Sequence, residues 1–368
     1  MRILQLVQSL ARGGAERVLL DLASRIPAAG HECLVAILRD EGGFGEKEYP
    51  GVAVRLLLPN GELRWPLYVP RAARALSRIL AEWRPDVLLV HTPNAAAVAA
   101  AAGGRIPGIQ VIHWHWGPFS GEGFVRLRRR ALARWTFRRL GRRGIVVSPS
   151  QIGDSARFLG CPEESLRCVA NGVDPERFGF VTREPSRRPR IAVVGSLTPV
   201  KRPELAVRAF DALARAIPGA RLVFAGDGPV RPELERMCEG SEIVGAVTFA
   251  GNRPEVAGIL EECDLLWHPS RSEGFGLAVA EAMATGLPVV AADVEGVREL
   301  VVPEETGLLV PFEKSTAVAE ASAAILSDPA RYGTMARAAR RRIEERFRID
   351  RMVEGYLAAA RDAVLGRW

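Results

Sequence analysis

The sequence predicts an α/β protein made of two Rossmann-like α/β/α domains that face each other across a cleft. Three observations lead there. The length, 368 residues, suits two domains of roughly 100–200 residues each. Short apolar runs alternate with segments of helical periodicity, the pattern of parallel strands covered on both faces. One opening unit also occurs twice, as "RILQLVQSLARGGAERVLLDLASRI" from Arg2 and "RIAVVGSLTPVKRPELAVRAFDALARAI" from Arg190. Each copy reads as a buried strand, Ser-Leu, a loop with a basic residue, then an amphipathic helix, which is the first βα unit of an α/β domain.

Taken in order, the first strand has the look of a signal peptide. Gln5 and Gln8 interrupt its apolar run, and no small-residue cleavage site follows, so a buried strand is expected. "CLVAIL", "VAVRLLL", "DVLLVH", "IQVIHW" and "GIVVSPS" supply further strands of the first half. The alanine-rich "NAAAVAAAAGG" between them is too short to span a membrane and reads as a core helix. Residues 179–190, "GFVTREPSRRPR", are charged, contain proline and lack periodicity, so they are expected to link a domain of residues 1–178 to one of residues 191–345. "ARLVFAG", "VTFAG", "DLLWHPS" and "PVVAAD" are the later strands of the second half. The tail is helical, and residues 346–368 are expected to cross back to the first domain.

Composition narrows the function. A hydrophobic fraction of 48% with 25% charged residues is that of an ordinary globular protein, which excludes disordered and fibrous classes. Five scattered cysteines without C-x-x-C spacing argue against a zinc site or a disulfide framework and fit a reducing cytosol. The expected location is therefore the cytoplasm, with peripheral attachment to the inner membrane face as an extension. Charge is uneven. Residues 1–189 hold 28 Lys and Arg against 17 Asp and Glu, a net +11, while the remainder holds 22 against 26, a net −4. One half is thus expected to meet something anionic.

The stretch "SRSEGFGLAVAEAMATGLPVV", residues 270–290, is the most informative. Glu273 and Glu281 are its only carboxylates, set among glycine, alanine, valine and leucine. A carboxylate in apolar surroundings is costly unless something binds it. "DLLWHPS" reads as a strand, "RSEGFG" as a loop, and "LAVAEAMATG" as a helix stopped by Gly286. Gly274 and Gly276 would leave backbone N–H groups open to an anion at the helix start. Were the intervening segment helical, the glutamates would stand about 12 Å apart, at ~1.5 Å per residue, roughly the span from a sugar across a diphosphate to a ribose. Gly13 and Gly14 permit close approach of a phosphate or sugar at the end of the first strand, without the spacing of a dinucleotide fingerprint. His113 and His115 in "VIHWHWGPF" are expected to point to one side of a strand end, as ligand-facing or as buried structural histidines. Residues 126–143, "RLRRRALARWTFRRLGRR", carry nine arginines with Trp135 and Phe137. A basic amphipathic helix of this kind suits either an anionic membrane surface or a solvated face; no nucleic-acid motif accompanies it.

Together these motifs give the chain its resemblance. "EGFGLAVAE" resembles the E-x7-E motif of retaining GT-B glycosyltransferases of family 4, the glycosyl transferases group 1. "GGAERVLLDLA" resembles that family's N-terminal glycine loop, "NGVDPERF" its entry to the interdomain linker, "GSLTPVKRPELAVRAF" and "FAGDGP" its nucleotide-side loops, and "GLPVVAADVEGVRELV" the stretch after the second glutamate. The resemblance implies a nucleotide-sugar substrate, UDP- or GDP-linked, with no cofactor, no metal and no nucleic-acid partner. It implies that Glu281 binds the ribose, that Glu273 touches the donor sugar, and that Gly274, Phe275, Gly276 and Leu277 meet sugar and phosphate oxygens. Lys201 corresponds to the diphosphate-binding lysine. Its usual arginine partner is replaced by Ser196, so either Arg202 or Arg253 makes up the charge or stabilisation of the leaving group is weaker. Asn252 and Arg253 would lie near the base and Gly14 near the donor, and a histidine, with His115 favoured over His113, would contact donor sugar or acceptor. Glu273, Lys201 and His115 are thus the expected catalytic residues. Arg12, Gly13, His113, Arg128, Arg129, Arg130 and Arg134 are expected on the acceptor or membrane side. The acceptor would be a glycan or lipid-linked molecule, in cell-surface polysaccharide or glycolipid assembly. The rival readings are a non-catalytic nucleotide-sugar-binding partner of another transferase, which Ser196 favours, and a nucleotide-sugar epimerase of the same fold.

Overall fold

The computed structural model describes residues 1–45, 47–58, 66–104, 106–116, 123–239, 241–253 and 255–368. It divides into two compact units, one of Met1–Asn171 with Ile349–Trp368 and one of Gly172–Arg348.

In the first unit the elements run β1 (Arg2–Val7), α1 (Gly14–Arg25), β2 (Glu32–Ile37), β3 (Val54–Leu56), α2 (Val69–Trp83), β4 (Val87–Val90), α3 (Pro93–Ala102), β5 (Gly108–Ile112), α4 (Gly123–Arg139), β6 (Gly144–Val146), α5 (Gln151–Leu159) and β7 (Leu166–Cys168). The strands form one parallel sheet in the order β3-β2-β1-β4-β5-β6-β7. Their near-continuous apolar runs follow from burial on both faces. Leu4, Leu6, Leu88 and Val90 pack on Leu76 of α2 and Val98 of α3, while Val7 and Val35 meet Leu19 and Leu20 of α1. The expected "VAVRLLL" strand shrinks to three exposed residues at the sheet edge.

The second unit runs β8 (Arg190–Val194), α6 (Pro203–Ala216), β9 (Arg221–Ala225), α7 (Arg231–Glu239), β10 (Val247–Gly251), α8 (Ala257–Glu261), β11 (Leu265–His268), α9 (Leu277–Ala284), β12 (Val289–Ala292), α10 (Glu295–Arg298), β13 (Gly307–Val310), α11 (Ser315–Leu326) and α12 (Pro329–Arg346). Its sheet is also parallel, in the order β10-β9-β8-β11-β12-β13. The core joins Ile191, Val193, Phe210, Phe224, Trp267 and Tyr332. Both sheets therefore have the Rossmann-like order in which the strand sequence reverses beside the first strand, and each unit is doubly wound.

The last helix, α13 (Ile349–Val364), packs on α1, β4 and β5 of the first unit, and Asp362 there pairs with Arg167 at 2.7 Å. The first crossing between units lies at Asn171–Gly172, earlier than residues 179–190. The reason is local bonding. Asp264 accepts from the backbone N–H groups of Ser186 and Arg190, Arg183 donates to the carbonyls of Leu260 and Cys263, and Arg340 donates to those of Pro175, Phe178 and Ala284. These side-chain bonds sew an aperiodic, proline-bearing segment to the second unit, and periodicity cannot reveal them.

Candidate functional site

In an open α/β sheet the crevice lies beyond the carboxyl ends of the strands where their order reverses. In the second unit that point falls between β8 and β11. The loop after β8 carries Ser196 and Lys201; the loop after β11 carries Glu273. The two loops are joined by the Arg271 N–H, which donates to the Val200 carbonyl at 2.8 Å.

Three ionisable side chains converge there. Lys201 Nζ lies 2.5 Å from Glu273 Oε1, and His268 Nε2 lies 2.7 Å from the same oxygen. Glu273 is 9% exposed. Burial pushes its carboxyl up, but Lys201 and His268 together outweigh that and hold it well below the usual carboxylate range. The site therefore presents an ionised carboxylate with a cation on one side and an imidazole on the other. Nearby in sequence, Thr198 Oγ1 and Ser270 Oγ are buried and have no hydrogen-bond partner among the described residues. Buried hydroxyls of this kind are normally satisfied, so they have capacity for a polar ligand.

Helix α9 starts later than the eight-residue glutamate spacing assumed. Its N-cap is Gly276, at φ 96°, a left-handed conformation that glycine adopts without steric cost. Glu273–Gly276 is loop, so the 12 Å helical rise does not describe the separation of the two glutamates. Glu281 sits within α9, 6% exposed, among Val279, Ala280, Ala282 and Met283. Gly286 follows the helix at φ 73°, as expected of a stop. At Gly296, a Cβ would lie 2.4 Å from the Glu273 carbonyl oxygen. That loop therefore buttresses the backbone of Glu273 and Gly274. Phe275 is in the core, with its ring edge-on to Phe347 at 5.5 Å, so only its backbone remains for a ligand. Gly274 is buried and Leu277 half-buried.

The remaining candidates of this unit are spread out. Ser196 is exposed just beyond β8. Arg202 caps α6 at φ 48°, and its guanidinium is held by the Pro269 carbonyl at 3.1 Å and by Glu313. It is therefore not a free replacement for the missing arginine. Asn252 and Arg253 are exposed beyond β10, the edge strand of the sheet.

In the first unit, Gly13 is the extended N-cap of α1 and Gly14 its exposed first residue. Arg12 pairs with Glu48 at 2.6 Å and lies over the Phe44 ring. It is engaged within its own unit. His113 and His115 lie beyond β5, which ends at Ile112, and they meet different partners. His113 Nε2 is 3.1 Å from His91 Nδ1, with the rings stacked at 5.3 Å. Burial pushes His113 down to about 3, and burial together with the neighbouring His113 lowers His91 well below the usual imidazole range. Both are thus neutral near pH 7. His115 is buried, its Nδ1 4.0 Å from Asp154 Oδ2, which accepts the Trp116 N–H. "GPF" after these histidines lies outside the described residues. Arg128 and Arg129 are exposed on α4. Arg130 and Arg134 instead donate to the carbonyls of Arg157 and Phe158 at the end of α5.

Sequence reasoning missed His268 and His91. Each is the polar end of an apolar strand run, and in a strand alone such a residue looks like the start of a loop. The signal that marks both is position, at a strand's carboxyl end beside the reversal point.

Residues 12–177 match the family model described as Glycosyltransferase Family 4, and residues 175–342 the model described as Glycosyl transferases group 1. The chain is 29% identical to a glycogen synthase of Mycobacterium tuberculosis over 364 residues, covering 91% of this chain and 87% of that protein. It is 32% identical to the D-inositol 3-phosphate glycosyltransferase of Rhodococcus opacus over 239 residues, 60% of this chain and 53% of that protein. Among solved structures, Anabaena Alr3699/HepE in complex with UDP and glucose superimposes with a TM-score of 0.84 at 23% identity, over 97% of this chain and 98% of that one.

Proposed function

We propose, for a chain that belongs to the family 4 glycosyltransferases with the GT-B fold, that it transfers a sugar from a UDP- or GDP-linked donor to a glycan or lipid-linked acceptor with retention of anomeric configuration. The observation that carries this reading is the meeting of Lys201, Glu273 and His268 at the reversal point of the second sheet. A buried ion pair is weak evidence of a stabilising role, since apolar replacements of similar volume are often as stable, and this one is read as functional.

In this reading the bond from the anomeric carbon to the diphosphate oxygen breaks, and a bond from that carbon to the acceptor oxygen forms on the same face. The acceptor's proton passes to the departing phosphate oxygen, so no protein base is assigned. Lys201 and the amides of Gly274 to Leu277 stabilise charge on the leaving diphosphate, a preorganised electrostatic role. Glu273 orients the donor sugar and Glu281 the ribose hydroxyls. His268 keeps Glu273 ionised and fixed. The chemistry needs neither cofactor nor metal. A role in cell-surface polysaccharide or glycolipid assembly is the corresponding biological reading.

Donor binding tests the assignment without an acceptor. Glu281→Ala is expected to weaken nucleotide-sugar binding by about 1–3 kcal/mol, the usual loss for a charged hydrogen bond, measured by calorimetry against UDP- and GDP-sugars. Equal affinity of variant and wild type for every donor that binds would remove Glu281 from the site. The exposed Ser196 keeps one rival open, a donor-binding partner without turnover, and turnover separates the two.

A further inference from the structure

Helix α4 carries a second feature, which does not depend on the donor chemistry. Its inner face holds Ala133, Thr136 and Phe137, all buried, and Phe137 packs with Ile112, Trp116 and Phe158. Arg130 and Arg134 clamp the end of α5. These contacts anchor the second half of the helix. The first two turns, from Gly123 to Arg129, are exposed residue by residue.

The face opposite the core is not polar. Phe124, Leu127, Ala131 and Trp135 are spaced i, i+3, i+7 and i+11 and so form one stripe along the helix. Phe124 is 72% exposed, Leu127 64% and Trp135 45%, with Val125 beside them at 51%. Arg128 and Arg138 border the same stripe, and Arg128 lies over the Phe124 ring at 5.8 Å. Residues 123–143 contain nine arginines and no acidic residue.

We propose that this outward face of α4 is a membrane-docking surface, laying Phe124, Leu127 and Trp135 into the headgroup boundary of an anionic bilayer while the flanking arginines pair with lipid phosphates. The combination selects this occupant. An apolar ridge between cations, on a helix with no acidic residue, matches a bilayer interface. A second copy of the chain would bring the same cationic helix against itself. A nucleic acid would satisfy the arginines and leave the apolar stripe in water. Among the described residues no helix is long and apolar enough to cross a membrane, so attachment would be by this surface.

Co-sedimentation of the full chain with vesicles tests the proposal. Binding is expected to phosphatidylglycerol–phosphatidylcholine vesicles but not to phosphatidylcholine alone, and to fall as salt shortens the screening length below about 10 Å. Phe124→Ser with Leu127→Ser should lower the bound fraction about tenfold or more, and Arg128→Glu with Arg138→Glu should remove the preference for anionic lipid. All four positions are exposed, and unchanged melting curves would verify folding. Should a variant misfold, the wild-type comparison of the two vesicle types still decides. Equal partition into both, absence of binding to either, variants that bind like wild type, or retention on nucleic acid in place of vesicles would each overturn the proposal.

Discussion

At the scale of single residues, the proposed site turns on Glu273. Removing Lys201 would leave a 9%-exposed carboxylate with His268 as its remaining partner. Lys201→Met is therefore expected to destabilise the protein by about 1–3 kcal/mol near pH 7, the cost of an unpaired charged group. Glu273's folded pKa lies below its unfolded value of about 4.3, so its pairing stabilises the fold above that pH and the benefit is lost as pH falls. The melting-temperature gap between wild type and Lys201→Met should thus be wide at pH 7 and begin to close only as the pH falls below about 4, toward the lowered folded pKa. A gap that does not change with pH would mean the lysine acts through packing. Glu273 and Glu281 were legible in the sequence because isolated carboxylates in an apolar run demand a partner. The partners of Glu273 were less so: Lys201 comes from the loop after β8 and His268 from the end of β11, and no spacing rule connects residues 201, 268 and 273.

At the scale of elements, the loops at the reversal point are built against one another. Gly296 is the clearest case, because a side chain there would strike the Glu273 carbonyl at 2.4 Å. Gly296→Ala should shift the Glu273–Gly274 backbone, costing about 1–3 kcal/mol as overpacking, with nucleotide-sugar affinity falling about tenfold or more. Calorimetry alongside a melting curve checks both, and full affinity with reduced stability would show that the displaced backbone is not part of the donor site. The strands named from apolar runs recur in both sheets, since burial on two faces leaves a plain signature. β7 and β13 were not among the runs named. The start of α9 at Leu277 was legible, since Gly274 and Gly276 mark the loop before it, and its boundary is set by the left-handed Gly276; the helical spacing of the two glutamates was not, because Glu273 lies in that loop. The roles of Arg130 and Arg134 were hidden in a run of arginines, where only structure separates a carbonyl clamp from an exposed charge.

At the scale of the whole molecule, two Rossmann-like units of similar order arise from one βα opening repeated at Arg2 and Arg190. The repetition predicted the architecture well. The crossing point at Asn171 was less legible, because side-chain bonds from Asp264, Arg183 and Arg340 rather than any sequence pattern assign residues 172–190 to the second unit. The charge asymmetry now has a location, since nine of the first half's arginines belong to residues 126–143. We propose that this chain turns over a nucleotide sugar through Lys201 and Glu273. The most direct test is nucleoside-diphosphate release by the purified full chain across a panel of UDP- and GDP-sugars, with the anomer of the freed or transferred sugar followed by NMR. Release from at least one donor is expected, with retention at the anomeric carbon and a loss of about 100-fold or more in Lys201→Met, as for removal of a leaving-group stabiliser. A donor that binds but is never turned over, an inverted anomer, or a Lys201→Met variant as fast as wild type would contradict it.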